Sequence, residues 1–111
     1  MSEAAVQAEV RLECARRGAI MWRNNSGVLP DENGRPVRFG LNNDSKQANE
    51  TCKSSDLIGI GPDGRFWALE IKHAGWKYTG TKREKAQLAY INLVRSKGGV
   101  AAFVTCVEDI P

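Results

Sequence analysis

The alternation of apolar and polar stretches predicts a single α/β domain in which helices flank a mixed β-sheet. Three observations carry that expectation. Two segments with helix caps stand near the two ends, a tightly turned hairpin occupies the centre, and an apolar run follows the second helix. At 111 residues the chain suits one domain, spanning 1–111, with one modest core.

The elements follow in order. Glu3 to Arg17 reads as a helix, with Ser2 as N-cap, Glu3 favourable in the first turn and Gly18 as the stop. Val6, Val10 and Cys14 supply its narrow apolar stripe. Ala19 to Arg23 reads as a strand, ended by Asn24-Asn25-Ser26-Gly27. Val28-Leu29 and Val37-Arg38-Phe39 suit a second hairpin with Asp31-Glu32-Asn33-Gly34 at its tip. The polar run Asn42 to Ser55 is expected to be a loop, either reaching over a ligand or disordered. His73 to Gly80 forms another loop, carrying Trp76 and Tyr78. Thr81 and Glu84 make a capping box that opens a helix to about Lys97, stopped by Gly98-Gly99. Val100 to Val107 is apolar nearly throughout and is expected to be a strand buried on both faces.

A hydrophobic share of 41% and a charged share of 26% are ordinary for a soluble globular protein, and a net charge of +3 does not by itself announce a nucleic-acid binder. The distribution of charge says more. Lys72, Lys77, Lys82, Arg83 and Lys85 cluster together, and Arg16, Arg17 and Arg23 form a second group. Arg23, Lys77, Lys82 and Arg83 are the expected phosphate contacts, against the alternative of a solvated face. Cys14, Cys52 and Cys106 are too scattered for a zinc ribbon or a disulfide framework, which suits a reducing cytosol. No apolar run approaches the roughly 20 residues of a membrane span, and the acidic start lacks a signal-peptide pattern. A soluble, cytoplasmic protein with no membrane partner is expected.

The centre of the chain carries the chemistry. Leu57 to Ile60 and Phe66 to Ile71 read as short strands around Gly61-Pro62-Asp63-Gly64, a turn with Pro at its second position and Gly at the left-handed one. Pairing Gly61 with Arg65 and counting back places Asp56 opposite Glu70, with Cβ atoms about 5 Å apart. Lys72, two residues further, projects from the same face. Facing carboxylates repel, and charges in so apolar a strand need a partner or a cation. Asp56 and Glu70 are therefore expected to hold a divalent metal. Hard oxygen ligands suit Mg²⁺ or Mn²⁺, with substrate phosphate completing the shell. A metal polarises a phosphoryl oxygen and activates water, while Lys72 holds the water or offsets developing charge. Phosphodiester hydrolysis is the reaction such a set performs. Gln87 shares a helical face with Tyr90, Ile91 and Val94, and is either a satisfied core amide or a site residue. His73 is a lone histidine beside the site, expected to make a DNA or surface contact. Trp76 and Tyr78 either stack on bases or pack under their loop.

Asp56 followed by Glu70-Ile71-Lys72 resembles the PD-(D/E)xK nuclease signature, and the wider chain resembles the virus-type replication-repair nuclease (VRR-NUC) domain. The matching segments are Glu3-x-x-Val6-Gln7, Trp22 to Gly27, Asp56 to Lys72, and Gln87 before Gly98-Gly99, so the resemblance covers nearly the whole chain. Ser54-Ser55 stand where this family has Gly-x-Pro before the aspartate. The resemblance implies a restriction-endonuclease-like fold, metal ligation by Asp56, Glu70 and the Ile71 carbonyl, and Gln87 facing the site. It also implies a first-helix glutamate there, best matched by Glu3, with Glu9 and Glu13 as alternatives. Small members are viral or bacterial, and the implied substrate is DNA, branched or four-way (Holliday) junctions in particular, cut by a homodimer. A non-catalytic DNA-binding module of this fold and a duplex-cutting restriction-type nuclease are the alternatives.

Overall fold

The computed structural model describes all 111 residues. Its elements are helix α1 (Glu3–Arg16), strands β1 (Ile20–Arg23), β2 (Gly27–Pro30) and β3 (Pro36–Phe39), and helix α2 (Lys46–Thr51). Strands β4 (Leu57–Ile60) and β5 (Phe66–Ile71), helix α3 (Lys82–Ser96), strand β6 (Val100–Val104) and a 3₁₀ turn (Val107–Asp109) complete the chain. Four strands form a mixed sheet in the order β1-β4-β5-β6, antiparallel except for the parallel β5–β6 pair, and β2–β3 stand apart as a two-stranded hairpin.

Strand β5 organises both faces of the sheet. Its period of two sends Trp67, Leu69 and Ile71 to one side, where they pack with Val6, Val10 and Cys14 of α1. Ala68 points the other way and meets Tyr90, Ile91 and Val94 of α3 together with Ala101 of β6. Two alanines at that contact leave room for the helix to lie close. The sheet is thus covered by α1 on one face and by α3 on the other.

The central turn forms as the sequence predicts. Gly61 N donates to Arg65 O at 2.8 Å, and Gly64 N donates to Gly61 O at 3.0 Å. Gly64 adopts φ +87°, a conformation that side chains with a Cβ rarely take. Gly61 is required for another reason: a Cβ there would run into the indole of Trp67.

Several details differ from expectation. Helix α1 ends at Arg16, because Arg17 already serves as its C-cap, and β1 begins at Ile20. The run Asn42 to Ser55 contains α2, capped by the Ser45 hydroxyl, which accepts from Ala48 N at 3.0 Å. No residue of α2 is buried, so it lacks the apolar period by which a helix is recognised. Strand β6 stops at Val104, and as an edge strand it leaves Val100, Ala102 and Phe103 half-buried, unlike a strand enclosed on both faces. No helix is long and apolar enough to cross a membrane.

Leu69 is fully enclosed, whereas Leu12 on α1 is 75% exposed. Leu69→Ala is expected to lower stability by about 3 kcal/mol through lost burial and the cavity left behind. Leu12→Ala should stay within about 0.5 kcal/mol of the parent. Urea unfolding of both variants checks this, and equal losses would contradict the assignment of the core.

Candidate active site

Pairing of Leu57 with Leu69 carries the β4–β5 register one step further, to Asp56 and Glu70. Both point to the face that α3 covers, beyond Ile58 and Ala68. Asp56 is anchored from two directions. Its Oδ2 accepts from Ile71 N at 2.9 Å, and its backbone carbonyl accepts from Asn24 N at 2.7 Å. The Asn24 side chain extends the clamp, its Nδ2 donating to Ser54 Oγ at 2.8 Å and to Ser55 O at 2.9 Å. Ser54 in turn donates to Leu41 O at 2.7 Å, so the serines preceding Asp56 tie the approach strand to the neighbouring loop.

Glu70 is 4% exposed. Burial pushes its carboxyl up to about 10; the hydrogen bond to Asp56 and that residue's negative charge act in the same sense, and Lys72 and Arg83 oppose them. Near neutral pH, Glu70 therefore keeps its proton. Gln87 of α3 lines the same cleft, 3% exposed, and its buried Oε1 accepts no hydrogen bond. Lys72 N donates to Val104 O at 2.9 Å, which faces that peptide toward β6. Strand alternation then turns the N–H and C=O of Ile71 the other way, toward Asp56. Two carboxylates and an orphaned amide oxygen line the cleft together as an all-oxygen set. Such a set fits a hard divalent cation such as Mg²⁺ or Mn²⁺. No group of three or more His, Cys, Asp and Glu side chains that could hold a metal is present.

Lys72 lies on the Glu70 face but outside the cleft lining. Its Nζ is 5.3 Å from the Trp76 ring centroid and 6.0 Å from that of Phe103, the residue paired with Glu70 on β6. Trp76 packs on Phe103 at 4.9 Å, with Tyr78 edge-on to Trp76 at 6.3 Å. Trp76 is packed on Phe103, half-buried, while Tyr78 stays 42% exposed. Glu84 holds their loop, accepting from Trp76 Nε1, Thr79 N, Thr79 Oγ1 and Thr81 N at 3.0–3.1 Å, and these donors lower its carboxyl to about 2.

Comparison with protein-family models, curated proteins and solved structures finds no match.

The remaining sequence-predicted residues divide. Glu3 is exposed and does not line the cleft. Its helix packs on the sheet face opposite to that of Glu70, because the Val6–Val10–Cys14 stripe meets Trp67, Leu69 and Ile71. Glu9 and Glu13 line a separate groove, and Glu13 is bound by Arg16 and Arg17 at 2.6 and 2.7 Å. Arg83 reaches the cleft, and Lys82 borders it with Glu50 and Lys53. Arg23, Lys77 and His73 lie outside it, all exposed. Sequence reasoning missed Arg38, Asn43, Asn49 and Lys53, which wall the cleft. They come from the irregular region, where neither spacing nor periodicity marks them.

The Glu70 shift has a consequence for stability. Its ordinary value is 4.5 and its folded value about 10. Between those values the folded chain holds a proton that the unfolded chain has released, so rising pH favours unfolding. Without metal, the protein should lose stability progressively from about pH 4.5 upward, at no more than about 1.4 kcal/mol per unit. Glu70→Gln should flatten this dependence. Chemical denaturation across pH checks it, and an unchanged slope would refute the buried, protonated state.

Proposed function

We propose that this protein is a metal-dependent DNA endonuclease of the restriction-endonuclease-like class, with Mg²⁺ or Mn²⁺ as cofactor. The observation that supports it best is the cleft itself. Asp56 and Glu70 face each other there beside the unpartnered Gln87 oxygen, and every other charged residue of the lining is a cation. Asp56 and Glu70 hold the ion, with the Ile71 carbonyl and Gln87 as further oxygen donors. The bound ion supplies Lewis-acid charge to the phosphoryl oxygen and acidifies water. Ile71 N–H and Asn24 fix Asp56, so one carboxylate is already oriented before substrate arrives. To hold a cation Glu70 would have to give up its proton, so metal affinity would rise with pH. Lys72, held against Trp76 and Phe103, places a positive charge close enough to act on Glu70 and offsets charge developing at the phosphate. One observation favours the non-catalytic reading: that ammonium group rests on the aromatic rings and is not part of the cleft lining.

Asp56→Asn and Glu70→Gln should each reduce cleavage at least about a hundredfold and weaken Mg²⁺ binding in calorimetry, with the fold retained. Lys72→Ala should lose cleavage yet keep most metal affinity, since an ammonium group is no ligand. Full activity in either carboxylate variant would refute the site, and joint loss of metal and activity in Lys72→Ala would make the lysine structural.

Branched DNA cut by a homodimer, in the cytoplasm of a bacterium or phage host, completes the proposal. Paired nicks on a two-fold junction call for two sites related by symmetry. Val28, Leu29, Val37 and Phe39 on the β2–β3 hairpin are all exposed, and a lone two-stranded sheet is marginal unless something covers it. Three free cysteines suit a reducing compartment. Light scattering should show a dimer, and labelled four-way DNA should be cut faster than linear duplex. A monomer cutting both equally would defeat this part and leave the nuclease proposal standing.

A further inference from the structure

Arg38, Lys53 and Arg83 share the cleft with Asp56 and Glu70, yet none has a carboxylate at ion-pair distance. The ion pairs of the molecule involve Arg16, Arg17, Lys46 and Arg65 instead. The three cations are close enough to matter to one another. Burial, then the charge of Arg83, lowers the proton affinity of Lys53; Glu50 opposes this, while Arg38 and Lys82 add to it.

Neutral amides hold two of these cations, Arg38 and Lys53, where carboxylates would have cancelled them. Arg38 Nε donates to Asn43 O at 3.0 Å and Nη2 to Asn43 Oδ1 at 2.8 Å, and Lys53 Nζ donates to Asn49 Oδ1. Asn43 is 2% exposed, and its Nδ2 donates to Gly27 O at 3.0 Å and Phe39 O at 2.9 Å. Its amide orientation is therefore set, with Oδ1 toward the guanidinium. Of the five N–H groups of Arg38, three stay free. The cavity holds about 210 Å³, room for roughly seven waters. Cations that repel one another in a half-enclosed space, two of them held by uncharged partners, are left unneutralised by ion pairing and favour an incoming anion.

We propose that Arg38, Lys53 and Arg83 bind the phosphates flanking the cleaved bond on one nucleic-acid strand, with Asn43 as the positioning residue for Arg38. The placement of these phosphates relative to the cut rests on the nuclease reading; anion capture by the three cations does not. Strand β3 carries Arg38, so the β2–β3 hairpin enters recognition through its base.

The test uses Asp56→Asn protein, so that cleavage does not interfere, and anisotropy of a short labelled single-stranded oligonucleotide between about 50 and 200 mM salt. Arg38→Ala should weaken binding about tenfold and reduce the salt slope by about 0.7 for each phosphate that the variant no longer neutralises. Arg83→Gln breaks no side-chain hydrogen bond of the fold and should act in the same direction, which keeps the test decisive if Arg38→Ala unfolds. Asn43→Ala should weaken binding with the slope retained, because the charge stays while its position is lost. Parental affinity and slope in both Arg38→Ala and Arg83→Gln would overturn the proposal. Otherwise wild-type protein that binds the oligonucleotide through Arg38 but never cuts with Mg²⁺ would remove the nuclease reading and leave this one. Wild-type protein that cuts, with KM unchanged in both arginine variants, would do the reverse.

Discussion

The three-residue loop Pro62–Gly64 sets the register by which Asp56 meets Glu70, and everything in the cleft inherits that register. A slip of one residue would send one carboxylate to the α1 face, into the cluster built on Trp67, Leu69 and Ile71. The pairing is secured from both ends. Gly61 N and Arg65 O close the turn, while Ile71 N and Asn24 N hold Asp56 where β4 begins. Between those ends, Leu57 and Leu69 are fully buried, so the alternation of the core enforces the same answer as the hydrogen bonds.

Glu70 and Glu84 show how environment decides the state of a buried carboxylate. Glu84 collects donors from Trp76, Thr79 and Thr81 and is held ionised. Glu70 is buried with a second acid as its neighbour and is held neutral. The first is a finished structural contact that orders the loop before α3. The second is an acid that no ion pair holds in its charged form, set beside Asp56 in the cleft that Gln87 also lines. In the proposed reading, that asymmetry suits a cation-binding position.

Much of the frame is readable from the chain. The turn Gly61–Gly64 and the capping box at Thr81–Glu84 are local devices whose chemistry lies in adjacent residues, so the hairpin and α3 follow from sequence directly. The Asp56–Glu70 pair follows by counting, and the inward face of Gln87 follows from helical period. Glu3 does not, because the side of the sheet that α1 covers depends on packing across the whole domain. Helix α2 escapes notice because it buries nothing, and Arg38, Asn43 and Lys53 because their proximity arises from tertiary hydrogen bonds between segments without periodicity. The fate of Trp76 likewise depends on Phe103, a partner in β6 far along the chain.

The β2–β3 hairpin belongs to a sheet of its own, and α2 buries no residue. The segment that walls the cleft therefore lies outside the four-stranded sheet that aligns the carboxylates, and joins it through a few contacts, among them Lys53 N to Ala86 O and Ser54 Oγ to Leu41 O. Such a division makes the domain modular. Drift in the length or composition of residues between Gly27 and Lys53 can reshape what enters the cleft while leaving the Asp56–Glu70 geometry untouched. Asn43 would hold such a wall together from within, while Asn24, bonded to Ser54 and Ser55, keeps the residues before Asp56 in place.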